Sequence, residues 1–347
     1  MSDDDPVDEP ARRKGLVVIF GLLLIFLGLP VGFLLWATTV PGESFAGPSP
    51  PTTSDRQALA DRLHADVVAI ASEPHNLSHV GALVRSEAYI VGQLHHAGYE
   101  VRTEDVLPPA RNIEVVIEPK KTTAPTIVIG AHYDSAMGAP GANDNGSGSA
   151  ALLELARQLK GHDGNLGKRL RLIFFVNEEP PYFKTNAMGS RVAALALTKS
   201  RERVEGMISL ETMGYFDDRL GSQHYPFPLG LRYPHTGNFI AFVGDLESRS
   251  FLRRSIERFR RHAQIPSVGG TAPTFIDGID WSDHWSYSQE GIPAFMVTDT
   301  APFRYPHYHE LTDRPDKVDY AKLALVVEGL EGMILDLTLE REGGEHG

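Results

Sequence analysis

From Gly15 to Gly42 the chain carries no charged residue, and Leu16 to Trp36 is almost wholly Leu, Ile, Val, Phe and Gly. About 20 such residues cross a bilayer as a helix, and the run lacks the polar face of a soluble core helix. The pattern predicts a transmembrane helix over residues 15–38, with a kink at Pro30 and Gly32 of the kind that lipid-embedded helices tolerate. The stretch that follows, PGESFAGPSPPTTS from Pro41 to Ser54, is too rich in Pro, Ser, Thr and Gly to bury a core and reads as an extended linker. Periodicity then returns. Asp55 to Ala71 places Leu59, Leu63, Val67 and Ile70 on one helical face, Ser86 to Ala97 reads as a second helix, and Tyr99 to Val106 as a strand.

Beyond Asn112, short β-rich apolar runs alternate with helical stretches. Ile113–Ile117, Thr126–Ile129, Leu170–Val176, Met207–Leu210 and Ala294–Val297 are predicted strands, and Ser147–Leu159 a predicted helix. Such alternation predicts an α/β fold, a mixed and mostly parallel central sheet with helices on both faces. No internal repeat is present. The chain divides into a tail (1–14), the membrane helix (15–38), a linker (39–54), one folded domain (55–340) and a polar tail (341–347).

Charge orients this arrangement. Arg12, Arg13 and Lys14 precede the apolar run, and Glu43 with a polar stretch follows it, so the positive-inside rule puts the N-terminus in the cytoplasm and the domain outside it, periplasmic or extracellular. A cleavable signal peptide is the competing reading, but its apolar region usually spans about 7–15 residues, and no small-x-small site closes this run cleanly. With 42% hydrophobic and 22% charged residues among 347, the whole is otherwise ordinary globular protein. A net charge of -12 repels nucleic-acid phosphate. The absence of cysteine removes disulfides, thiolate zinc sites, iron–sulfur clusters and cysteine nucleophiles together, so any metal rests on His, Asp and Glu.

Ligands of open α/β sheets bind beyond the carboxyl ends of the strands, and the residues there are chemically uniform. GAHYDS follows the Thr126 run and supplies His132 and Asp134. GANDNGSG places Asp144 in a glycine-rich turn before a helix. NEE after Val176 supplies Glu178 and Glu179, Glu211 follows Leu210, and a loop with His307, Tyr308 and His309 follows Val297. Singly these read as loop histidines, solvated acids and turns. Together, several acids at one sheet edge would repel without a compensating cation. If Asp144, Glu179, Glu211 and neutral His132 and His309 hold two divalent ions, one positive charge remains, which one hydroxide neutralises. Metal lowers the pKa of bound water from about 15.7 to near 7, and two ions about 3.5–4 Å apart can share the hydroxide. Glu178, beside a ligand but pointing elsewhere, is free to shuttle a proton from water to a leaving amine.

The ordered set GAHYDS, GANDNGSG, NEE, SLE and YHELTDRPDKVDY, spanning about His75 to Tyr320 with PHNLSH as lead-in, resembles the double-zinc exopeptidases of metallopeptidase clan MH, which include bacterial secreted aminopeptidases and glutamate carboxypeptidase. The resemblance implies two zinc ions per chain, His132 and Glu179 as terminal ligands on different metals, Asp144 as the bridge, His309 as the last ligand and Glu178 as general base. It implies that Asp134 fixes the His132 ring and that Tyr308 sits where some members place an oxyanion-stabilising phenol. One departure stands out. The ligand after the SLE strand is usually Asp and is here Glu211, whose extra methylene must be absorbed. His307 competes with His309 on chemistry alone, and His309 is preferred because it heads the YH…D…PDK pattern. Ser282, Asp283 and His284 are either pocket lining or loop structure.

The implied activity is a membrane-anchored, zinc-dependent exopeptidase acting on peptides, an aminopeptidase by family preference, with a dizinc-bound hydroxide as nucleophile. Alternatives within the fold are a glutaminyl-cyclase-like acyltransferase with one zinc and a non-catalytic ectodomain. Recognition of a free terminus requires acids for an amine, or Arg and Lys for a carboxylate. The segment Asp217–Pro273 is expected to wall the substrate pocket, its plainer reading being a surface excursion around a helix at Ser248–His262.

Overall fold

The computed structural model describes residues 29–339 without a break, together with positions 13, 14, 16, 20, 21, 26 and 28. Two compact units result, one ending at Thr39 and one beginning at Val40. In the first, helix α1 (Leu29–Thr38) has Pro30 in its first turn, where its missing N–H leaves no bond unmade and no kink is required. Ten residues rise only about 15 Å, half of a bilayer's apolar thickness. No helix among the described residues is long and apolar enough to cross a membrane, and much of the expected 15–38 span, like the 1–14 and 341–347 tails, lies outside the described residues.

The second unit opens with a docked segment. Arg260 donates to the carbonyls of Pro41 and Gly42, and the Ser267 N–H donates to Ser44 Oγ at 2.8 Å, so the start of the expected 39–54 linker lies on the domain. Helices α2 (Ser54–Ala71) and α3 (Val80–His96) follow, α2 capped by Thr53, whose side chain accepts the Arg56 N–H. Next come strands β1 (Arg102–Leu107), β2 (Ala110–Ile117) and β3 (Thr126–His132), helix α4 (Gly148–Leu159), strand β4 (Arg169–Phe175), helix α5 (Gly189–Ser200) and strand β5 (Val204–Glu211). A small ribbon of β6 (Asp217–Leu220) and β7 (Thr236–Gly237) precedes β8 (Ile240–Gly244), α6 (Arg249–His262), β9 (Ser267–Thr271), α7 (His284–Ser288), β10 (Ala294–Thr298) and α8 (Tyr320–Leu339).

Eight strands form one sheet in the order β1-β2-β4-β3-β5-β10-β8-β9. The centre, β4-β3-β5-β10, is parallel, while β2 meets β4 and β8 meets β10 antiparallel. Every residue of β3 is buried, as expected of a parallel strand covered on both faces. Alternation sorts its side chains: Ile127, Ile129 and Ala131 join the large core beneath α2, α4, α6 and α8, while Val128 joins a smaller one with Ala193, Leu197 and Tyr287 of α5 and α7. The α/β reading holds. The Asp217–Pro273 segment is more than an excursion around a helix, because it contributes sheet strands β8 and β9 as well as α6.

Candidate active site

Three parallel strands end beside one another and deliver the acids and the histidine. His132 closes β3, the Glu178–Glu179 pair lies just past β4, and Glu211 closes β5. The backbone turns sharply there, with left-handed φ at Asn177 (59°) before the Glu pair, at Thr212 (41°) after Glu211, and at His309 itself (59°). Such conformations cost energy outside glycine and cluster at functional sites. Gly141 (φ 73°) opens the Asp144 turn, where a Cβ would stand 2.5 Å from the Asp144 carbonyl oxygen.

The side chains then fall into two sets around Asp144. His132 Nε2 is 3.4 Å from Asp144 Oδ1 and 3.4 Å from Glu211 Oε2. His309 Nε2 is 3.1 Å from Asp144 Oδ2 and 3.2 Å from Glu179 Oε2. Both sets could hold a metal ion: His132, Asp144 and Glu211 in one, Asp144, Glu179 and His309 in the other. Glu178 Oε2 is 3.8 Å from His132 Nε2, close enough to serve the same space. His307 is turned away to Thr312 Oγ1 at 2.8 Å, so geometry selects His309.

The sequence did not reveal most of the groups that hold this arrangement. Asp134 acts chiefly on the Glu pair, its carboxylate accepting the N–H of Glu178 (3.1 Å) and of Glu179 (3.3 Å). His132 Nδ1 lies nearer the Asp134 carbonyl (3.1 Å) than its carboxylate (3.6 Å), so the expected fixing of the ring comes mainly from backbone. Asp313 accepts the N–H groups of Asn143 and Asp144 and the hydroxyl of Tyr305. Asn145 bridges from the same turn to the Leu210 carbonyl and the Thr212 N–H, and Asp299 accepts from Asn143 and the Tyr215 N–H. Ser282 is part of the site, donating to Glu211 Oε2 at 2.8 Å. Neighbouring Asp283 is wholly buried with neither carboxylate oxygen hydrogen-bonded among the described residues, while His284 Nε2 pairs with the Ile279 carbonyl. The lead-in PHNLSH has a purpose as well: His75 and Ser135 exchange two hydrogen bonds that tie it to the loop after β3.

Electrostatics describe a site short of positive charge. Burial pushes the Glu178 carboxyl well above the usual range, against the pull of His132, and pushes Glu179 up to about 7, with Asp144 adding to the effect. Burial disfavours a charged His309, yet Asp144 and Glu179 hold it up to about 11. Protons are retained where cations would otherwise balance the carboxylates. The Tyr308 ring stacks on His309 with centroids 3.9 Å apart, and burial followed by the nearby acids keeps its phenol protonated.

Beside Glu211 and Tyr308 opens an apolar pocket walled by Tyr225, Leu229, Tyr233, Phe239 and Val268, among others. Much of the wall comes from the Asp217–Pro273 segment, as expected.

The model of Peptidase family M28 matches residues 112–332, and a protein of Escherichia coli K12 known as uncharacterized protein YfbL is 35% identical over 333 residues, 91% of this chain and 97% of its own length. The chain belongs to peptidase family M28. Leucine aminopeptidase 1 of Arthroderma otae is 26% identical to this M28 peptidase over 227 residues, 62% of this chain but 55% of that protein. In structure the M28 chain is similar to the LapA aminopeptidase of Legionella pneumophila (TM-score 0.64, 18% identity, 87% of this chain and 78% of the other). It is also similar to a glutaminyl cyclase of Fimbriiglobus ruber (TM-score 0.57, 18% identity, 86% and 99%). At these identities the likeness to both is one of fold. The choice between two M28-like chemistries therefore rests on the site.

Proposed function

We propose that the chain is a membrane-anchored aminopeptidase holding two zinc ions, and the observation that carries this is the sharing of Asp144: its two oxygens face two separate His–carboxylate sets. The residues fit the ions. His132 Nε2, Asp144 Oδ2 and Glu179 Oε1 are buried without a hydrogen-bond partner among the described residues, a costly state that metal ligation relieves, and imidazole with carboxylate suits zinc. His132 and Glu211 would hold one ion, Glu179 and His309 the other, with Asp144 between them. Zinc bound there supplies Lewis acidity toward a carbonyl oxygen and eases deprotonation of water.

The chain's own residues do the rest. Glu178 takes the proton of the attacking water and returns it to the leaving amine. Asp134 holds both Glu backbones while this happens, and the Tyr308 hydroxyl offers a hydrogen bond to the oxygen on which charge develops. The apolar pocket receives the side chain of the N-terminal residue. Apart from Glu211, assigned to an ion, its charged lining residue is Asp277, with no Lys or Arg among the described lining, which suits a free amine and offers nothing to a terminal carboxylate. The leucine aminopeptidase relatives agree with this choice. Anchoring is supported by the uncharged run from Gly15 to Gly42 and by α1, whose Leu29, Val31 and Trp36 are exposed. The basic flank before that run supports a catalytic domain outside the cytoplasm.

Metal analysis of the full chain in detergent, run beside hydrolysis of unblocked and N-terminally blocked peptides, tests the reading. Two zinc per chain and cleavage of unblocked peptides only are expected; one zinc with pyroglutamate formation would overturn it in favour of the cyclase chemistry.

A further inference from the structure

The pocket beside Glu211 is long as well as apolar. Its floor is laid by alternate residues of three neighbouring strands: Met296 and Thr298 of β10, Ala241 and Val243 of β8, Val268 and Gly270 of β9. Glu211 of β5 pairs in register with Thr298, so the floor starts at the catalytic edge and reaches β9 three strand spacings away, about 14 Å. The remaining wall is largely aromatic, with Tyr225, Tyr233, Phe239, Trp281 and Phe303 among its residues. Such a surface suits a side chain with a long apolar stem.

The two acids of the lining are not equivalent. Glu211 is buried and belongs to a candidate ion site. Asp277, on the loop after β9, is exposed, joins none of the candidate ligand groups, and has no hydrogen bond or ion pair among the described residues. The other acid of that loop, Asp280, is already paired with Lys184 at 2.7 Å. Asp277 is nonetheless held in place. Turns close on either side of it, the Ile276 N–H donating to the Pro273 carbonyl and the Ile279 N–H to the Ile276 carbonyl, and His284 Nε2 bonds the Ile279 carbonyl. The next residue, Gly278, has φ 85°, and a Cβ there would stand 2.7 Å from the Phe303 ring, so the loop is seated closely on the wall. No Lys, Arg or His among the described lining competes for the carboxylate. Arg304 packs on the Phe239 ring but is not in the lining, and it donates to Gln223 and to the carbonyls of Tyr215 and Phe239. Tyr225 and Tyr233 each give their hydroxyl proton to a backbone carbonyl, of Pro234 and Gly269, so they meet a substrate as ring and acceptor only.

We infer that the pocket selects N-terminal residues whose side chain is an apolar stem ending in a cation, Lys and Arg, and that Asp277 is the residue that reads the charge. This rests on the aminopeptidase reading and deepens it. Lys and Arg lay their methylene stems along apolar surface while the charged head stays in water, which an apolar wall carrying an exposed carboxylate allows without stripping either charge of solvent. Aromatic ring faces attract a cation as well. The substrate's α-amine sits on the carbon next to the scissile carbonyl and so stays beside the ion sites, which leaves Asp277 for the side chain. A net charge of -12 draws cationic substrates from a distance. Because the pair is exposed, its contribution is modest and screened by salt.

Matched substrates separate charge from length. The zinc-loaded full chain in detergent is assayed on the p-nitroanilides of Arg and its neutral isostere citrulline, and of Lys and its apolar counterpart norleucine. In the native chain kcat/KM is expected to favour Arg over citrulline and Lys over norleucine severalfold, with both ratios shrinking as salt is raised. Asp277→Asn should bring each ratio close to one, and Asp277→Lys should carry it below one; the exposed position tolerates both changes. Native ratios near one would overturn the inference. Ratios that persist in Asp277→Asn would show that the charge is read elsewhere, by the acids of the ion sites, and would remove Asp277 from the role. Equal loss on all four substrates in Asp277→Asn would mean that it holds the α-amine instead, which also overturns the assignment. Hydrolysis of none of the four by the native chain would sink the aminopeptidase reading itself, an outcome distinct from cleavage without charge preference.

Discussion

The two halves of the catalytic edge are built by different means. Around β3, β4 and β5, hydrogen bonds between buried groups hold the candidate ligands in place: Asp134 to the Glu178 and Glu179 backbones, Asn145 to β5, Ser282 to Glu211. Around β8 and β9, the pocket is walled by the rings and aliphatic groups of Tyr225, Leu229, Tyr233 and Phe239, with the two Tyr hydroxyls bonded to the backbone carbonyls of Pro234 and Gly269. Hydrogen bonds between buried partners set positions to a fraction of an ångström and are costly to break, whereas apolar walls tolerate exchange at constant volume. On the proposed reading, the first half fixes the reaction and the second its selectivity. Changes in the first should abolish turnover for every substrate, and changes in the second should re-rank substrates.

The sharpest separation comes from Glu178→Gln. The amide keeps the shape and the backbone bonds to Asp134 but cannot accept the proton of water, so kcat is expected to fall by about 10²–10⁴, the usual worth of a general base. Metal content should stay at the wild-type value and KM should change little. A variant that turned over at near wild-type rate would remove Glu178 from the role of base. Chelation should act as strongly by a different route: activity is lost on removing zinc and restored on its return, and Tm falls with the metal because an ion bound only by the folded state stabilises it.

What the sequence made legible follows the same division. His132, Glu178, Glu179 and Glu211 each lie within a few residues of the end of an apolar run, so strand prediction and chemistry located them together. Asp144 and His309 needed the ordered set, since a turn and a loop histidine have ordinary explanations. Asp313, Asp299 and Asn145 escaped because their work is done across 65 or more residues, Asp313 reaching Asn143 and Asn145 reaching Leu210, and no local pattern encodes such partners. Strands β8 and β9 escaped for a related reason. Each is five residues long, and β9 (SVGGT) is weak in the β-branched and aromatic content that marks a strand. Tertiary pairing with β10 and β8 makes them strands.

Asp313→Asn probes the buried ties without touching a ligand. Its carboxylate gathers two backbone N–H groups from the Asp144 turn and one hydroxyl from Tyr305, and an amide can accept on one atom only. The turn that aims Asp144 at its two His–carboxylate sets should loosen, and metal affinity is expected to drop by about 10- to 100-fold, as for other groups that orient metal ligands. Isothermal titration with zinc would measure it. Activity at saturating metal should recover substantially, which distinguishes a positioning residue from Glu178; unchanged affinity would show that the turn is held without Asp313.

The most selective effect is expected on the apolar side, from Leu229→Trp. Leu229 lines the pocket and is itself nearly buried, at 9% exposure, so the indole must project into space that a substrate side chain would fill. A hydrophobic pocket discriminates by about 1–3 kcal/mol per lost or gained group, or 10- to 200-fold. kcat/KM for peptides beginning with Leu or Phe should fall within that range, while peptides beginning with Ala, which need little of the pocket, keep theirs. The metal sites share no hydrogen bond with Leu229, so zinc content should not move. Equal loss for Ala and Leu peptides would break the comparison at its root, because it would mean that the wall of the pocket and the ties of the metal site respond as one unit.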